Sequence, residues 1–577
     1  MVIAASLLVL CGASAQASVS VSVAPHFATV NLRKSRQYVA TVTGETGAVV
    51  TWKVDGVTGG NAAVGTISAA GLYTAPASVP AGSTVTVTAQ VTGGESASGV
   101  MALTSGVSFY VSASGKDSNP GTLALPWKTI QHAANEAVAG DTVLIRGGTY
   151  HESVNLPHSG NGGMGSIVFQ SYPGEVAILD GTGVACCGDG IQGLINITGN
   201  ESYIILEGLE IQNYSSNNVN NEPAGIYVSG SGAYLQILSS TVRNITESAG
   251  ASGNAHGIGF YGTLATALSY ITLSNNDVYG MKTGNSETIT LDGNIVNFTI
   301  TGNFVHDNDN IGIDATGFYG TGPSGHDQAR NGLIAGNTVY NITSIANPAY
   351  NGYGADGIYC DGCTEVVIDR NLTFDNDLNI EAASENPHRD TSYVTIRNNV
   401  VYGGNVAGIS IGGYDATRGG SDHITIVNNT LFNNNVQSEG GDFQVQYFAT
   451  NNLFENNIVY SGAQGDLVNG GNNSEAAPVT ADYNIYYTAA SPTWTWQGTN
   501  YSSFASYQAA SKEEAHSHFE NPELISVKSP YDFDLEAASP ARNTGNFALG
   551  TGDYGTVDFV ENPRTTGSKI SVGAYQQ

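Results

Sequence analysis

The stretch Tyr393–Gly413, YVTIRNNVVYGGNVAGISIGG, contains one complete unit of a repeat that runs through most of the chain. It begins with an apolar strand, YVTIRN. The motif that follows, here NVVY, consists of an asparagine, any residue, an apolar residue and often an aromatic residue. A second strand rich in glycine and isoleucine, GISIGG, completes the unit. Short strands separated by turns in this way are typical of stacked β structure.

The asparagine motif recurs as NDVY, NFVH, NTVY, NLTF, NVVY, NTLF, NIVY and NIYY. Its asparagines are Asn276, Asn303, Asn337, Asn371, Asn399, Asn429, Asn457 and Asn484, separated by 27, 34, 34, 28, 30, 28 and 27 residues. Self-similarity at such a period indicates a solenoid. Stacked asparagines can hydrogen-bond from coil to coil, so we interpret this row as structural. The pattern predicts an all-β chain folded mainly as a parallel β-helix.

Composition supports a turn-rich β protein and excludes several function classes. The chain has 577 residues, of which 73 are glycine, 41% are hydrophobic and only 12% are charged. That hydrophobic content is enough for a core and argues against general disorder. The net charge of −30 makes nucleic acid and anionic membranes poor partners, because both need clustered lysine and arginine.

The first 17 residues have the features of an export signal. Val2–Ala17 contains a short apolar run followed by small residues, as in a cleaved signal peptide, and it is too short to span a membrane. We therefore predict a secreted protein, extracellular or periplasmic, without membrane insertion. Four cysteines then remain, Cys186, Cys187, Cys360 and Cys363, and disulfides or unpaired buried thiols are favoured over a metal site.

Residues 18–104 read as a separate small domain. Short alternating runs such as YVATVTG, AVVTWKVDG and STVTVTAQV are divided by turns at regular intervals, which predicts an antiparallel β-sandwich with Trp52 in its core. The run GTISAAGLYTAP closely resembles bacterial Ig-like repeats that are appended to exported enzymes and adhesins. The resemblance implies an accessory module.

Residues 107–577 read as the solenoid with a cap at each end. Apolar residues in Pro126–Val138 recur at helical spacing, which predicts a short amphipathic helix with proline at its start. The block Phe109–Val154 strongly resembles the N-terminal cap and first coil of right-handed parallel β-helix proteins, many of which are polysaccharide lyases or glycoside hydrolases. From about Ala481 the repeat decays, and YDFDLEAASPARNTG and GSKISVGAYQQ resemble closing segments.

Stacking the glycine-isoleucine strands places side chains in columns. We align Gly225, Gly257, Gly312, Gly357, Asn379 and Gly408. Two residues on, facing outward, come Tyr227, Gly259, Asp314, Tyr359, Glu381 and Ser410. Four residues on, also outward, come Ser229, Tyr261, Asp292, Thr316, Asp361, Ala383 and Gly412. Carboxylates beside tyrosines are suited to a sugar-binding groove.

Asp361, Glu381 and Asp314 are the predicted catalytic residues. From the strand and coil spacings, the backbones of Asp361 and Glu381 would lie roughly 8 Å apart, and those of Asp314 and Glu381 roughly 10 Å. Side-chain reach brings either pair within the range for glycoside hydrolysis, about 5 Å for retention and about 6.5–9.5 Å for inversion.

The run ADGIYCDG followed by LNIEAASENP, within Gly354–His388, resembles the catalytic coils of β-helical glycoside hydrolases, notably a β-xylosidase family with an aspartate nucleophile and a glutamate acid/base. The resemblance implies that Asp361 is the nucleophile or base and Glu381 the general acid, with Glu385 as the alternative acid. We expect substrate contacts from Tyr359, Asp356, Glu385, His388, Arg389, His256, Tyr261 and Asp292.

The prediction is therefore a monomeric glycoside hydrolase that cleaves a polysaccharide or oligosaccharide and needs no cofactor. The alternative is a polysaccharide lyase that acts on uronates, with Ca²⁺ held by Asp314, Asp356 and Asp361. A lyase also needs a basic residue, and Lys282 is the only lysine between Lys128 and Lys512. A non-catalytic glycan-binding adhesin is a third interpretation.

Overall fold

The computed structural model describes residues 20–577 except 44–48, 78, 81, 92–95 and 105. The predicted signal peptide, residues 1–17, lies outside the described residues. None of the helices in the described part is long and apolar enough to cross a membrane.

The N-terminal strands pack around a core of their own. They are Ser20–Ala24, Phe27–Asn31, Ser35–Gln37, Val39–Thr43, Val50–Val54, Val57–Thr58, Gly60–Asn61, Gly65–Ile67, Leu72–Thr74, Thr84–Val91 and Ser96–Thr104. Their pairings are antiparallel except that Ser96–Thr104 pairs in parallel with Phe27–Asn31. Trp52 is buried in this core beside Tyr38, as expected for the central aromatic residue. The Ig-like assignment of residues 18–104 remains a prediction.

The rest of the chain winds into a parallel solenoid with three faces, which confirms the all-β β-helix prediction. The third face has 13 strands, so the solenoid has about that number of coils, while the first and second faces join into one 29-stranded sheet. Each coil passes through the first, second and third face in that order. The continuous strand Ile289–Thr301 belongs to both the first and the second face.

The strands of the first face carry the predicted site. They are Val154–Asn155, Gly190–Gly199, Asn221–Gly230, His256–Gly262, Ile289–Thr301, Ile313–Thr316, Asp356–Asp361, Leu378–Ala383, Ala407–Ile411, Phe443–Val445, Asp466–Asn469 and Thr493–Trp496, with Thr499–Tyr501 added antiparallel. The second face contains Ser108–Val111, Thr142–Ile145, Ile167–Ser171, Ile204–Glu207, Gly232–Ala233, Leu235–Leu238, Leu268–Ser274, Gln328–Ala335, Thr364–Asp369, Asp390–Ser392, Thr395–Arg397, Gly420–Asp422, Thr425–Val427, Ala449–Thr450, Asn452–Glu455 and Val479–Asp482.

The third face follows the asparagine motif. Its strands are Gly148–Tyr150, Ala177–Asp180, Leu209–Ser216, Thr241–Glu247, Asp277–Tyr279, Phe304–Asn308, Thr338–Ile342, Leu372–Phe374, Val400–Tyr402, Thr430–Phe432, Ile458–Ser461, Ile485–Thr488 and His518–Phe519. Five aromatic rings of the motif stack on this face with centroids 4.7–4.9 Å apart, namely Tyr279, His306, Tyr340, Phe374 and Tyr402.

The asparagine row is structural, as predicted. All eight asparagines are buried, and each of the first seven donates from its side-chain amide to the Oδ1 of the next coil's asparagine over 2.9–3.3 Å. The backbone N–H of each also donates to the same Oδ1, as Asn371 does to Asn399 at 2.8 Å. These bonds satisfy polar groups at a turn that the stacked coils bury.

Both ends of the solenoid are covered, with some differences from the predictions. The N-terminal helix runs only over Ile130–Glu136, because Thr129 caps it, so Pro126 lies before the helix and not at its start. Near the other end, the helices Phe504–Ser511 and Thr551–Tyr554 and the antiparallel pair Leu524–Ser526 and Asp532–Leu535 belong to the closing segment.

The two closing tryptophans are capping residues and do not stack on sugar. Trp494 and Trp496 lie on the strand Thr493–Trp496 and are buried against Tyr507 of the neighbouring helix. Both rings belong to the buried core of the solenoid, which leaves no open ring face for a sugar.

A buried carboxyl at the end of the asparagine row makes stability depend on pH. Glu514 accepts from Asn484 Nδ2 at 3.1 Å and from the Tyr486 hydroxyl at 2.5 Å, and burial raises its pKa to about 7. A carboxyl whose pKa is raised in the folded state loses stabilisation as pH rises from the unfolded value, about 4.5, to the folded one. This loss amounts to roughly 3 kcal/mol for Glu514.

We therefore expect the protein to be more stable at pH 5 than at pH 8, and Glu514→Gln to reduce that difference. The measurement is chemical denaturation at both pH values, with the exposed Glu520→Gln as the matched control. An unchanged pH dependence in Glu514→Gln would show that this carboxyl does not contribute.

Candidate active site

The predicted strand register of the first face is confirmed. Backbone pairing aligns Ile226, Ile258, Ile289, Ile313, Ile358, Ile380 and Ile409, which places the preceding column of Gly225, Gly257, Gly312, Gly357, Asn379 and Gly408 as expected. Asp314 is opposite Tyr359, and Tyr359 is opposite Glu381. Asp292 pairs with Tyr261, as expected.

The outward side chains of this face are covered, which differs from the open groove that alternation alone implies. Asp314, Tyr359 and Asp361 are each only 2% exposed, and Glu381 is 6% exposed. Tyr319 lies in the segment between the strands Ile313–Thr316 and Gln328–Ala335, and Tyr350 lies in the segment between Thr338–Ile342 and Asp356–Asp361. Both side chains contribute to the enclosure. Strand alternation fixes which way a side chain points, whereas long connections decide whether water reaches it.

A cleft of about 400 Å³ opens on this face. Of the eleven predicted site residues, seven line it, namely Asp314, Asp361, Tyr359, Glu385, His256, Tyr261 and Asp292. The other lining residues are Ile191, Glu222, Asn285, Ser286, Glu287, Thr290, Ile311, Thr316, Tyr319 and Tyr350. Glu381, Asp356, His388 and Arg389 are not among the lining residues.

Asp361 lies at the end of the strand Asp356–Asp361 with both carboxylate oxygens engaged. Oδ1 accepts from the backbone N–H of Glu385 at 2.8 Å, and Oδ2 accepts a short hydrogen bond from the Tyr319 hydroxyl. Burial and the Glu385 charge raise the pKa of Asp361 well above its usual range, while the two hydrogen bonds oppose this rise. The charge on Glu385 therefore affects the pKa of Asp361 within the same cleft.

Glu385 reaches the cleft from the segment after the strand Leu378–Ala383. Its side chain is 36% exposed, and Arg418 Nη1 lies 3.8 Å from Oε2. Burial raises the pKa of Glu385, and the Arg418 charge lowers it. A carboxyl whose pKa is raised by its surroundings can hold a proton near neutral pH, as a general acid requires.

Glu381 is one coil and one column away from Asp361 and bonds to neutral groups. Its Oε1 accepts from Ser410 Oγ at 2.7 Å and from Gln446 Nε2 at 3.1 Å. Burial raises the pKa of Glu381 to about 7. Because the side chain is held there and does not line the cleft, the catalytic role of Glu381 remains a prediction, and Glu385 is placed better for it.

Asp314 lines the cleft within reach of the charges of both Glu287 and Asp361. Burial, followed by the charges of Glu287 and Asp361, raises the pKa of Asp314 well above its usual range. Among the described residues, its Oδ1 has no hydrogen-bond partner although it is buried. An unpartnered buried carboxyl oxygen that lines a cleft is available to a ligand.

The part of the cleft formed by the earlier coils contains two carboxyl groups that the sequence analysis missed, those of Glu222 and Glu287. The His256 ring lies 3.7 Å from Glu222 and 3.3 Å from the Tyr261 hydroxyl, and the His256 contact lowers the pKa of Glu222. Glu287 accepts from Thr290 Oγ1 at 2.9 Å. Glu287 lies two residues before the strand Ile289–Thr301, which carries the aligned residue Asp292. This position beside an aligned column is the sequence signal from which Glu287 could have been predicted.

The remaining predicted residues are placed as follows. Asp356 is buried, and burial together with the Glu381 charge raises its pKa well above the usual range. His388 and Arg389 are exposed on the following loop, where the Arg389 guanidinium lies 5.2 Å from the centre of the Phe318 ring. Contact of these three residues with substrate stays a prediction.

The four cysteines form disulfides, Cys186–Cys187 and Cys360–Cys363. The second encloses Asp361 and Gly362 at the corner between the first and second faces. Cys360 and Cys363 are buried in the solenoid core. The CxxC is therefore a structural clamp on the backbone that carries Asp361.

Comparisons with known proteins agree with this architecture. A family model described as Pel9A-like, right-handed β-helix region, matches residues 109–473. The uncharacterized protein YwoF of Bacillus subtilis (strain 168) is 39% identical over 442 residues, which cover 76% of this chain and 92% of YwoF. Pectate lyase PEL9 of Emericella nidulans is 39% identical over 74 residues, 13% of this chain and 18% of that protein.

A solved structure of XylC in complex with xylose shares the fold. It has a TM-score of 0.52 at 12% identity, and the alignment covers 81% of this chain and 98% of XylC. The resemblance to right-handed parallel β-helix proteins is thereby confirmed. The family and its neighbours indicate a carbohydrate-active enzyme, either a hydrolase or a lyase. Since the family model matches well over half of its residues, the chain belongs to the Pel9A-like right-handed β-helix family.

Proposed function

We propose that the protein is a secreted glycoside hydrolase that cleaves a polysaccharide or oligosaccharide with Asp361 and Glu385. The observation that carries this proposal is that these two carboxyls line one cleft and are held differently. Both oxygens of Asp361 accept hydrogen bonds, whereas the Glu385 carboxyl lies 3.8 Å from the charged Arg418 guanidinium. Paired carboxyls in different surroundings are what glycoside hydrolysis requires.

The difference in hydrogen bonding assigns the roles. Two charged carboxylates close together in a buried cleft are costly, so the pair holds one proton near neutral pH. Burial raises the pKa of both carboxyls, and the two hydrogen bonds donated to Asp361 favour its charged form. On that contrast we assign the proton of the pair to Glu385. Glu385 then protonates the glycosidic oxygen as the sugar–oxygen bond breaks. Asp361 either attacks the anomeric carbon or removes a proton from the water that does.

A panel of polysaccharides with two readouts tests the proposal. We expect new reducing ends without ultraviolet-absorbing unsaturated products on at least one polymer. The panel includes xylan, arabinan, galactan, chitosan, polygalacturonate and alginate. Unsaturated products would contradict hydrolysis, and the absence of any cleavage across the panel while binding is retained would favour the adhesin interpretation.

Arg418→Gln provides a pH test of the role of Glu385. Arg418 lowers the pKa of Glu385, so removing its charge raises that pKa. An acid with a higher pKa stays protonated to a higher pH, and we expect the alkaline limb of kcat/KM to move up by roughly half a pH unit, allowing for partial exposure.

The control for this experiment is Arg370→Gln, because Arg370 pairs with Asp369 and Glu561 away from the cleft. It should leave the pH profile unchanged. An alkaline limb that stays in place, or moves down, in Arg418→Gln would contradict the assignment of Glu385 as the acid.

A lyase that acts on uronates is the second candidate, and the partial similarity to pectate lyase PEL9 supports it. The charge of the cleft speaks against it. No lysine or arginine lines the cleft in the described chain, and a lyase needs a base beside the uronate. Within the described residues no group of three or more His, Cys, Asp and Glu side chains is arranged to hold a metal ion. Chelation of a lyase that depends on Ca²⁺ would abolish unsaturated products.

A further inference from the structure

The acidic and basic side chains that line the cleft are almost all carboxyl groups. Six carboxyl groups face it, from Glu222, Glu287, Asp292, Asp314, Asp361 and Glu385. The only basic side chain among the lining residues is His256, and it lies 3.7 Å from Glu222. A ligand that carries carboxylates would find no lysine or arginine among the lining residues, and every lining carboxyl that is ionised would repel it.

Two arginines of this region, Arg418 and Arg330, are already paired, and the guanidinium of Arg389 lies 5.2 Å from the centre of the Phe318 ring. Arg418 lies 3.8 Å from Glu385 and 3.7 Å from Asp415, and its guanidinium covers the Tyr414 ring at 4.6 Å. Arg330 donates to Asn294 at 2.9 Å. Recognition of a carboxylate ordinarily uses an arginine fork or a lysine, and these groups are not turned to the cleft.

The cleft instead presents acceptors. Asp314 is 2% exposed, and within the described structure its Oδ1 accepts no hydrogen bond although it lines the cleft. Burying this group without a donor is unfavourable, and a sugar hydroxyl or amine supplies one. Tyr319 and Tyr350 are 51% and 45% exposed at the cleft, so their rings are available to the apolar face of a sugar.

We infer that the cleft selects glycans whose rings carry no carboxylate, with hydroxyl or amino donors directed at Asp314. This inference rests on the proposed function and names its substrate class. It separates this chain from enzymes that act on uronates, because carboxyls can accept from the donors of a neutral or amino sugar but offer a uronate no positive partner.

A matched pair of polymers tests the inference. Polygalacturonate and its carboxyl-reduced form have the same linkage and differ only at C6, where a neutral hydroxymethyl group replaces the carboxylate. We measure binding of the whole protein to each by affinity electrophoresis, together with xylan, chitosan and alginate. The expected result is binding of the reduced polymer at least about 10-fold tighter than binding of polygalacturonate, with the difference shrinking as salt rises.

Binding of either uronate polymer as tight as or tighter than binding of the reduced form and of the neutral and amino polymers would overturn the inference. Product analysis keeps its failure separate from that of the proposed function. Hydrolysis of a uronate polymer would overturn the substrate class and leave the hydrolase standing, whereas unsaturated products would overturn both. If nothing is cleaved, the hydrolase fails while the binding ratio still decides the substrate class.

Asp314→Asn and Asp314→Ala locate the donor contact. The asparagine keeps an acceptor oxygen and the alanine removes it. We expect Asp314→Ala to weaken neutral glycan binding by about 10-fold, and Asp314→Asn to weaken it less. Equal binding by the wild type and both variants would overturn the contact at Asp314.

Discussion

Asp361→Asn is expected to lower kcat/KM for glycan cleavage by roughly 10³-fold or more while the protein stays folded. Asparagine fills the same space, its oxygen can accept from the Glu385 N–H, and its amide NH2 can donate to the Tyr319 oxygen, so the local hydrogen bonds are retained in outline. It cannot serve as a nucleophile or a base. The measurement is steady-state kinetics on whichever polymer the panel identifies, with circular dichroism as the check of folding.

Asp375→Asn is the matched control. Asp375 is an exposed residue of the turn after the third-face strand Leu372–Phe374 and has a positive φ of 55°, which asparagine tolerates. We expect nearly normal activity from it. Cleavage by Asp361→Asn at a rate close to that of Asp375→Asn would remove Asp361 from the catalytic assignment.

Asn399→Ala is expected to destabilise the solenoid by roughly 2–4 kcal/mol. Its amide donates to Ile368 O at 3.0 Å and to Asn429 Oδ1 at 2.9 Å, and its Oδ1 accepts from the backbone and side chain of Asn371. Alanine leaves these buried groups without partners in the middle of the row. Chemical denaturation of the whole chain measures the loss.

The exposed Asn217→Ala is the control for that change, and its effect should stay within about 0.5 kcal/mol. Equal denaturation curves for the two variants would mean that the row does not stabilise the coils. A loss confined to Asn399→Ala, with glycan cleavage retained at low temperature, would establish the row as structural and separate it from catalysis.

Strand register was predictable because one period runs through the chain. The asparagine of each motif marks one turn, and in most coils a glycine-isoleucine strand follows it. Counting two and four residues on then placed Asp314, Asp361 and Asp292 in the right columns. Alternation of side chains is a property of the backbone, so it survives without knowledge of tertiary contacts.

The enclosure of the site was not predictable in the same way. Tyr319 and Tyr350 lie in connecting segments that each occur in one coil only among those described. Because these segments are not part of the repeat, the repeat cannot predict that their side chains cover the site. The same holds for Glu385, whose N–H contacts Asp361 only because the chain turns after the strand Leu378–Ala383. Column position alone therefore favoured Glu381, which bonds to Ser410 and Gln446 away from the cleft.

The most direct test of the proposed hydrolase is the mass of its products. Hydrolysis adds one water to each bond that is broken, whereas elimination adds none and leaves a double bond in one fragment. Mass spectrometry of a defined oligosaccharide of the polymer that the panel identifies, with a uronate oligosaccharide in parallel, should show fragments whose summed mass is that of the substrate plus water, and Asp361→Asn should leave the substrate intact. Fragments of unsaturated sugar that sum to the substrate mass would contradict the hydrolase assignment.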